Sequence, residues 1–415
     1  MLGVATRFDV RQRAASLVEE RRRGFSLPSE FFTSDSVYAL DEQIFRRNWI
    51  FVGSGAEIRE PGNFFTFNVF NDPIVVVRGR DGEVRAFHNV CRHHGAKVCL
   101  AERGQAGRLH CTYHHWAYGL DGRLLAARGM PEGFDASAYP LKPVGVQVAH
   151  GMIFVCLAET PPDLDWFSET VAPYLQPHAE TKTKVAHRST IIEEGNWKLV
   201  VENNRECYHC PSNHPEFLTA SYETALPNDP KASAAFTSHL SDRRNDWDAR
   251  GIPHAPAAGG VDFRCIRMPL KPDYMSFTLD GKPACTKLLG ELQDPELGSL
   301  RMFRPPNVWN HFLSDHIIHF RVLPLSPTRT QVETVWLVHE DAEEGRDYDV
   351  DRLTEVWIAT NDQDRRLVEM NQSAIASSAY EPGPQSVEEF LVLDFQDWYF
   401  EQLAALASHD ASVLA

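Results

Sequence analysis

Two Cys/His motifs in one short region restrict the fold of this chain more than any other feature. Cys91-x-His93 opens the stretch CRHHGAKVCL, and Cys111-x-x-His114 opens CTYHHWAYGL, with seventeen residues between His93 and Cys111. Short β-branched and aromatic runs separated by turn residues surround both motifs, which is typical of strands. The sequence therefore predicts two facing loops, each with one thiolate and one imidazole.

The order of these ligands indicates which cofactor they hold. A zinc finger groups its cysteines before its histidines, so the order Cys-His-Cys-His does not fit one, although a structural zinc site is the alternative. The order fits a [2Fe-2S] cluster in which one iron takes two Cys and the other takes two His. By this spacing His94, His110 and His115 are spare, and Cys99 is a buried thiol.

Length and charge limit the class of protein. The 415 residues favour two domains, and a net charge of −16 argues against nucleic acid as a partner. No apolar run is long enough for a membrane span, and the N-terminus lacks a signal-peptide core, so we expect a cytoplasmic protein. In that compartment the eight cysteines should be metal ligands or reduced thiols rather than disulfides.

The pattern of strands and helices predicts an α+β protein with an all-β insert. We expect an N-terminal helical segment at 1–48 that packs on the catalytic domain, and an all-β cluster domain at 49–160. The catalytic domain should follow at 161–415, after the proline-containing linker ETPPDLDWF.

A second motif lies in NWKLVVENNRECYHCPSNHPE, which contains Glu206-x-x-His209-x4-His214. If the helix that begins near Trp197 continues through this motif, Glu202, Glu206 and His209 lie within about 60° on one face. Pro211 should loosen the helix and let His214 join His209. Two His and one carboxylate are typical of oxygen-activating non-haem iron sites. Glu206 is one candidate for the carboxylate, and two hydrogen-bonded histidines without a metal are the alternative.

A second candidate carboxylate lies in the amphipathic helix predicted over 351–376. Asp364 falls in the middle of the apolar stripe that contains Leu353, Trp357 and Ile375. A carboxylate that points into a core needs a partner, and either an iron or a buried Arg would supply one. This geometry favours Asp364 as the third ligand.

Together the two motifs resemble the oxygenase component of the Rieske non-haem iron oxygenases, over essentially the whole chain. ENNRECYHC, RMPL, FTLDG, ATNDQDRRLVE and PGP are similar to the branch that acts on quaternary ammonium compounds. The resemblance implies a monooxygenase that uses O2 and two electrons to demethylate glycine betaine to dimethylglycine, or proline betaine to N-methylproline, with release of formaldehyde. Carnitine, choline or an aromatic ring are alternative substrates. It also implies a catalytic domain with an antiparallel sheet capped by helices.

The resemblance also implies roles for individual residues. One cluster iron would be bound by Cys91 and Cys111 and the other by His93 and His114, and the mononuclear Fe(II) would be bound by His209, His214 and Asp364. Glu206 would bridge electron transfer to a cluster ligand of a neighbouring subunit in a homotrimer, and Asn203 would belong to the same catalytic site. Because G-x-G-x-x-G is absent, a separate reductase would supply the electrons, with NAD(P)H only an indirect reductant.

Substrate contacts follow from the chemistry of a methylated ammonium, which aromatic faces hold. The aromatic candidates are Tyr208, Phe263 and Trp309, and the catalytic half also supplies Phe320 and Trp357. A betaine carboxylate needs a cation, and Arg264 and Arg267 lie on a predicted strand. Residues three apart on a strand lie on opposite faces, so at most one of the two faces the pocket. An electron carrier without a second metal site is the remaining alternative class.

Overall fold

The computed structural model describes residues 5–222 and 230–408. These residues form two compact units, one comprising the chain up to Ile44 together with the chain from Trp166 onward, and the other comprising Phe45–Asp165. The smaller unit is therefore inserted into the sequence of the larger one. This division falls at 44/45 and 165/166. The domain boundaries predicted from the sequence, at 48/49 and 160/161, remain predictions.

The smaller unit consists of strands in two antiparallel sheets. The larger sheet has the order β1-β10-β9-β4-β3-β2-β5, and β6-β7-β8 form a separate three-stranded sheet. The strands are β1 (Ile50–Ser54), β2 (Asn63–Val69), β3 (Asp72–Arg78), β4 (Val84–His88), β5 (Arg103–Gln105), β6 (Leu109–His110), β7 (Ala117–Tyr118), β8 (Leu124–Ala126), β9 (Pro143–Ala149) and β10 (Met152–Cys156). Central β3 is buried from Ile74 to Val77, as the run of β-branched residues requires. The all-β character predicted for this region is confirmed.

The larger unit is a seven-stranded antiparallel sheet with helices, in the order β11-β17-β16-β15-β14-β13-β12. Its strands are β11 (Thr183–Glu193), β12 (Ala257–Ala258), β13 (Arg264–Met268), β14 (Ser299–Arg304), β15 (Val308–Phe312), β16 (His316–Ser326) and β17 (Arg329–His339). The helices of the chain are α1 (Ala5–Glu19), α2 (Glu30–Thr33), α3 (Asp35–Arg47), α4 (Asp165–Leu175), α5 (Trp197–Asn204), α6 (Cys210–Asn213), α7 (Phe217–Ala220), α8 (Pro230–Ala249), α9 (Val350–Ile375) and α10 (Phe390–Ser408).

Register decides which side chains of this sheet share a face. Directly opposite residues in neighbouring strands point the same way. One such row crosses four strands and consists of Arg264, Phe303, Trp309 and Phe320, and the next row on that face contains Ile266, Arg301, His311 and Ile318. Trp357 of α9 contacts Phe320 and His311 at ring-centroid distances of 4.9 and 4.7 Å. The helix α9 therefore covers this face of the sheet.

A buried polar cluster joins three helices of the larger unit. The carboxylate of Asp41 accepts hydrogen bonds from Trp197 Nε1 at 2.9 Å, Lys198 Nζ at 2.5 Å and Tyr399 OH at 2.7 Å. Asp41 and Lys198 are both fully buried. Because an unpaired buried charge is costly, this cluster fixes the position of α5 relative to α3 and α10.

The helix predicted to carry Glu206 and His209 is shorter than expected. The helix α5 ends at Asn204, so Glu202, Glu206 and His209 do not share a helical face. The Glu206 carboxylate accepts hydrogen bonds from the backbone N–H groups of Tyr208 and His209, which closes a turn in place of another helical turn. The predicted helix over 351–376 is confirmed as α9.

The expectation that the cysteines stay unpaired is wrong at one position. Cys207 and Cys210 are joined by a disulfide, with their Cα atoms 4.9 Å apart. The turn after α5 brings these two residues within the range that a disulfide spans. The remaining six cysteines are buried and form no disulfide among the described residues, Cys99 among them. Within 5–222 and 230–408, no helix is both long enough and apolar enough to cross a membrane.

Candidate metal centres and active site

The two Cys/His motifs of the smaller unit form loops with matching backbone hydrogen bonds. Cys91 N–H donates to Ala96 O at 2.8 Å, and Cys111 N–H donates to Trp116 O at 2.9 Å, five residues on in each case. Gly95 and His115 donate back to the carbonyls of the two cysteines. Both residues have positive φ, 79° and 61°. The two loops therefore share one backbone arrangement, in which the proposed histidine ligand follows the cysteine by two residues in the first loop and by three in the second.

The side chains at the ends of these loops lie close together. The rings of His93 and His114 are 4.6 Å apart, and His93 stacks on Trp116 at 4.8 Å. The Cys91 Sγ lies 3.3 Å from Tyr118 OH. Burial, with a further contribution from the Cys91 thiol, raises the pKa of Cys111. Two buried thiols need a metal to be held as thiolates, so these four residues fit a [2Fe-2S] cluster.

His94 is closer to this group than its spacing suggests. Its ring lies 4.1 Å from that of His93, and the ligand atoms of His93, His94 and His114 lie within 4.8 Å of one another. His93 Nδ1 is buried and has no hydrogen-bond partner within 5–222 and 230–408. An imidazole nitrogen in that state suits a metal ion, and it distinguishes the half-buried His93 from the exposed His94.

In the larger unit, three metal-donor atoms converge. The Nε2 atoms of His209 and His214 are 2.8 Å apart, and Asp364 Oδ1 lies 3.3 and 2.9 Å from them. His209 precedes α6, His214 follows it, and Asp364 lies on the buried side of α9. Two imidazoles and one carboxylate that meet in this way fit the facial site of a mononuclear iron.

Glu206 lies on the other edge of His209. Its Oε1 forms a short hydrogen bond with His209 Nδ1, opposite the Nε2 atom that faces Asp364. Glu206 is therefore placed to orient the imidazole, and Asp364 is the carboxylate at the converging atoms.

Gln363 performs the equivalent task for His214. Gln363 Oε1 accepts a hydrogen bond from His214 Nδ1 at 2.8 Å, and its Nε2 donates to Glu216 at 2.7 Å. Both histidines thus direct Nε2 to the same point. Gln363 was not predicted as a site residue, and its position beside Asp364 is the one signal that could have indicated it.

The charges at this centre favour binding of a cation. Burial alone would lower the pKa of His209, but the carboxylates of Asp364 and Glu206 outweigh it and raise this pKa to about 9. Burial alone would raise the pKa of Asp364, but His209 and His214 outweigh it and lower this pKa. Asp364 and Glu206 together therefore place negative charge around the histidines, which a bound divalent iron would neutralise.

The triad opens into a cavity of about 330 Å³, a size typical of small-molecule sites. Its wall includes the sheet face described above and the residues between α5 and α6. Among the residues predicted for the site, the cavity is lined by Asn203, Glu206, His209, His214, Arg264, Trp309 and Asp364. Arg205, Arg301 and Trp357 line it as well.

Three predicted substrate contacts do not line this cavity. Tyr208 is 61% exposed. Phe263 packs between Trp166 and Phe167, with ring centroids 5.3 and 5.0 Å away, because it points opposite to Arg264. Arg267 is buried on the reverse face of β13, where Nε donates to Pro253 O at 3.1 Å. Arg264 and Arg267 thus lie on opposite faces, as their spacing predicts.

A cluster cradle on an all-β unit and a two-His, one-carboxylate triad on a helix-covered antiparallel sheet define an iron-dependent oxygenase of the Rieske type. Family profiles agree with this assignment. The Rieske [2Fe-2S] domain matches residues 48–144, and the ring hydroxylating alpha subunit (catalytic domain) matches residues 180–405. The chain belongs to the Rieske non-haem iron oxygenases, as an alpha subunit with a [2Fe-2S] cluster and a mononuclear iron.

Particular relatives are similar over nearly the full length. The glycine betaine monooxygenase oxygenase subunit of Pseudomonas aeruginosa is 48% identical over 396 residues, 95% of this chain and 92% of the relative. The subunit of the same name from Chromohalobacter salexigens is 46% identical over 407 residues, 97% and 92% of the two chains. A crystal structure of the quaternary ammonium Rieske monooxygenase CntA with L-carnitine shares the fold, with a TM-score of 0.70 and 21% identity over 93% of this chain and 97% of the other.

Proposed function

We propose that the chain is a terminal oxygenase that uses O2 and two electrons to demethylate glycine betaine. One oxygen atom enters an N-methyl group, and the other leaves as water with two protons. The resulting N–CH2–OH group then breaks down to formaldehyde, dimethylglycine and a proton. The observation that carries this proposal is the cavity that joins the triad to aromatic side chains, in a chain 48% identical to glycine betaine monooxygenase oxygenase subunits.

His209, His214 and Asp364 would hold the iron, which when bound supplies the activation of O2. The contribution of the protein is geometric. Glu206 and Gln363 each hold the Nδ1 edge of one histidine, which leaves both Nε2 atoms free for the metal. The cluster would be held by Cys91, His93, Cys111 and His114, and would deliver electrons one at a time.

The cavity walls suit a methylated ammonium. Trp309 and Trp357 present large aromatic faces, and Phe320 lies between them at ring-centroid distances of 5.3 and 4.9 Å. Such faces attract a cation that has no N–H to donate. Asn203 and Arg264 also line this cavity and complete its polar side. Tyr208, Phe263 and Arg267 are not part of the proposed site.

A separate reductase would supply the electrons, with NAD(P)H as the indirect source. We further infer a homotrimer in which the cluster of one subunit serves the iron of the next, with Glu206 as the bridge between them. The contact of Glu206 with His209 supports this role, because it connects the carboxylate directly to a ligand of the iron.

A single-turnover assay tests the function without the reductase. The purified holoenzyme is reduced chemically, freed of reductant and exposed to O2 with glycine betaine, proline betaine, carnitine or an aromatic acid. We expect formaldehyde and dimethylglycine from glycine betaine, at up to one equivalent per iron. The control omits the substrate.

Other outcomes would redirect the proposal. Formaldehyde from carnitine or proline betaine alone would retain the reaction class and replace the substrate. No formaldehyde from any quaternary ammonium compound, with a hydroxylated aromatic acid instead, would contradict the demethylase proposal.

A further inference from the structure

The cavity beside the triad contains more guanidinium groups than its carboxylates balance. Four arginines line it: Arg205, Arg244, Arg264 and Arg301. Among the described residues, the carboxylates that line it are those of Glu206, Asp364 and Glu388, and the first two are engaged with the histidines. A cavity that only had to hold a cation would not need this positive charge. The excess points to a negative group on the ligand.

Of the four arginines, Arg301 is the one with a buried donor that lacks a hydrogen-bond partner among the described residues. It lies on β14 opposite His311, and its Nη2 donates to Ser221 Oγ at 2.7 Å. Its Nε is inaccessible to solvent and has no hydrogen-bond partner within the part of the chain that the structure describes. No carboxylate of those residues lies within ion-pair distance of it. Burial lowers the pKa of Arg301 to about 10, so the side chain stays positive at neutral pH.

The surroundings of Arg301 join it to the aromatic wall. Its guanidinium lies 6.0 Å from the ring of Phe217, which in turn lies 5.3 Å from Trp357. His311, its cross-strand neighbour, is 4.7 Å from Trp357. The indole N–H groups of Trp309 and Trp357 are buried and have no acceptor among the described residues. The aromatic faces that can bind a cation therefore lie next to hydrogen-bond donors that have no acceptor within the protein residues described.

The other arginines are less suited to bind an anion here. Arg264 is partly exposed, and its Nη1 lies 3.8 Å from Asp394, a carboxylate that already faces it. Arg205 stacks over Phe303 at 4.2 Å and donates to Asn204. Arg244 belongs to α8 rather than to the sheet. Of the four arginines, only Arg301 lies in the row of this sheet face that contains His311, the residue next to Trp357.

We propose that Arg301 binds the carboxylate of the substrate and so selects zwitterionic betaines over quaternary ammonium cations that lack a nearby carboxylate. This inference rests on the proposed function. In glycine betaine one carbon separates the ammonium from the carboxylate, so the two subsites have to adjoin. Arg301 and Trp357 satisfy this requirement because both contact Phe217 and both neighbour His311. In charge-assisted hydrogen bonds with the substrate carboxylate, the Nε donor of Arg301 would have the acceptor that the described residues do not provide.

Equilibrium binding under nitrogen tests this selection with two ligands that differ in the negative charge and in one methyl group. These are glycine betaine and its methyl ester, titrated into the iron- and cluster-loaded protein by calorimetry. We expect the wild-type protein to prefer the betaine by about 10- to 100-fold, the range of a charge-assisted bond. Arg301→Gln should remove most of that preference by weakening betaine binding alone. Arg329→Gln, a surface arginine paired with Glu194, is the matched control and should change neither affinity.

Three results would overturn the inference: an unchanged preference in Arg301→Gln, an equal loss of affinity for both ligands, or equal wild-type affinities for both. The first would assign the carboxylate to another cation, and the second would make Arg301 a residue that shapes the cavity. If Arg301→Gln does not fold, judged by its far-ultraviolet circular dichroism and its thermal unfolding, Arg301→Lys replaces it. That variant should lose betaine affinity but keep ester affinity, because an ammonium cannot form the forked contact.

The proposed function is tested separately. If wild-type protein makes no formaldehyde from glycine betaine in the single-turnover assay, the function fails, whatever the ligand preference. If turnover is intact and the preference survives in Arg301→Gln, only the role of Arg301 fails.

Discussion

Two neighbouring residues of α9 contact the histidines of the triad in different ways. Asp364 faces both histidines, and Gln363 contacts His214. Asp364 places Oδ1 2.9 Å from His214 Nε2, at the point where the metal-donor atoms meet. Gln363 holds the opposite edge of that ring and is itself held by Glu216. Coordination and orientation are therefore separate tasks, and substitutions should separate them.

Removal of the carboxylate should remove the mononuclear iron. In Asp364→Ala, two neutral histidines remain, and we expect loss of this iron with an unchanged visible spectrum of the cluster. Iron analysis and the spectrum of the same sample measure both sites. Asp362→Ala on the same helix, whose carboxylate pairs with Arg365 and Arg366, should keep both metals. Full iron content and turnover in Asp364→Ala would exclude this residue as a ligand.

Gln363→Leu should weaken the iron site without destroying it. The variant keeps all three donor atoms but leaves His214 Nδ1 without its acceptor, so we expect about a 10-fold loss of iron affinity. Competition with a chelator, followed by iron analysis, measures the change. Gln363→Glu restores an acceptor and should recover most of the affinity. Equal iron retention in wild type and Gln363→Leu would show that His214 is oriented by other contacts.

At the scale of elements, the short helix α5 is held by buried contacts near both of its ends. The turn that carries Glu206 and His209 follows this helix directly. Lys198 near its start donates to Asp41 of α3. Glu202, one turn later, accepts a hydrogen bond at 2.9 Å from Gln396 of α10. Because the turn with Glu206 and His209 follows directly, the position of the triad depends on these two contacts.

The buried pair should be costly to break from one side. In Lys198→Met, the Asp41 carboxylate loses its positive partner in a fully buried site, and we expect a loss of about 3–5 kcal/mol in the free energy of unfolding. Thermal and denaturant unfolding measure it. Combining this change with Asp41→Asn removes the unpaired charge and should recover part of the loss. Lys184→Met, on the edge strand β11, is the control and should change stability by less than about 0.5 kcal/mol.

Glu202 makes stability depend on pH. Burial is the main cause that raises its pKa to about 7, so the native state keeps this proton longer than the unfolded state does. The native state is therefore favoured at low pH, and this advantage is lost as pH rises through about 7. Glu202→Gln should raise the Tm relative to wild type by about 2 °C or more at pH 8 and by less at pH 5.

Calorimetry of both proteins at several pH values between 5 and 8 tests this dependence. The surface change Glu169→Gln should leave the Tm unchanged throughout. A Tm difference for Glu202→Gln that stays constant across the series would show that its carboxyl has the same pKa in both states.

The whole molecule combines two units whose metals have to cooperate. The proposed cluster ligands all lie within 45–165, and the proposed iron ligands all lie beyond 166. Variants can therefore be made that lose one metal and retain the other. Such variants test the proposed passage of electrons between subunits.

Co-expressed Cys111→Ser and Asp364→Ala chains should complement each other. Each homo-oligomer lacks one metal and should be inactive. In a ring with head-to-tail transfer, every mixed trimer has one iron site in three, roughly a third, with both a working iron and a working neighbouring cluster. We expect about that fraction of wild-type turnover, assayed with chemical reductant after purification through two different tags. Separately purified chains, mixed without exchange, are the control. No recovery in confirmed mixed oligomers would contradict transfer between subunits.

Sequence alone could predict the ligand types because metal chemistry constrains spacing within short motifs. Cys91, His93, Cys111 and His114 lie on two short loops, so local pattern was sufficient to group them. Asp364 was found from its position in an apolar stripe. The contacts of the cavity depend on strand register and on which helix covers which face. For that reason Arg301 and Gln363 were missed as neighbours, Phe263 was assigned to the wrong side, and the choice between Arg264 and Arg267 stayed open.

The insertion of one unit into the other has a consequence for synthesis on the ribosome. The smaller unit possesses all its strands once residue 165 has emerged, so it can fold and receive its cluster early. The larger unit has to wait, because Asp41 acquires its contact with Tyr399 only after a further 358 residues. During that interval the first helices lack their final partners. Translation speed and chaperones that bind nascent chains should therefore affect the yield of the iron site more than that of the cluster.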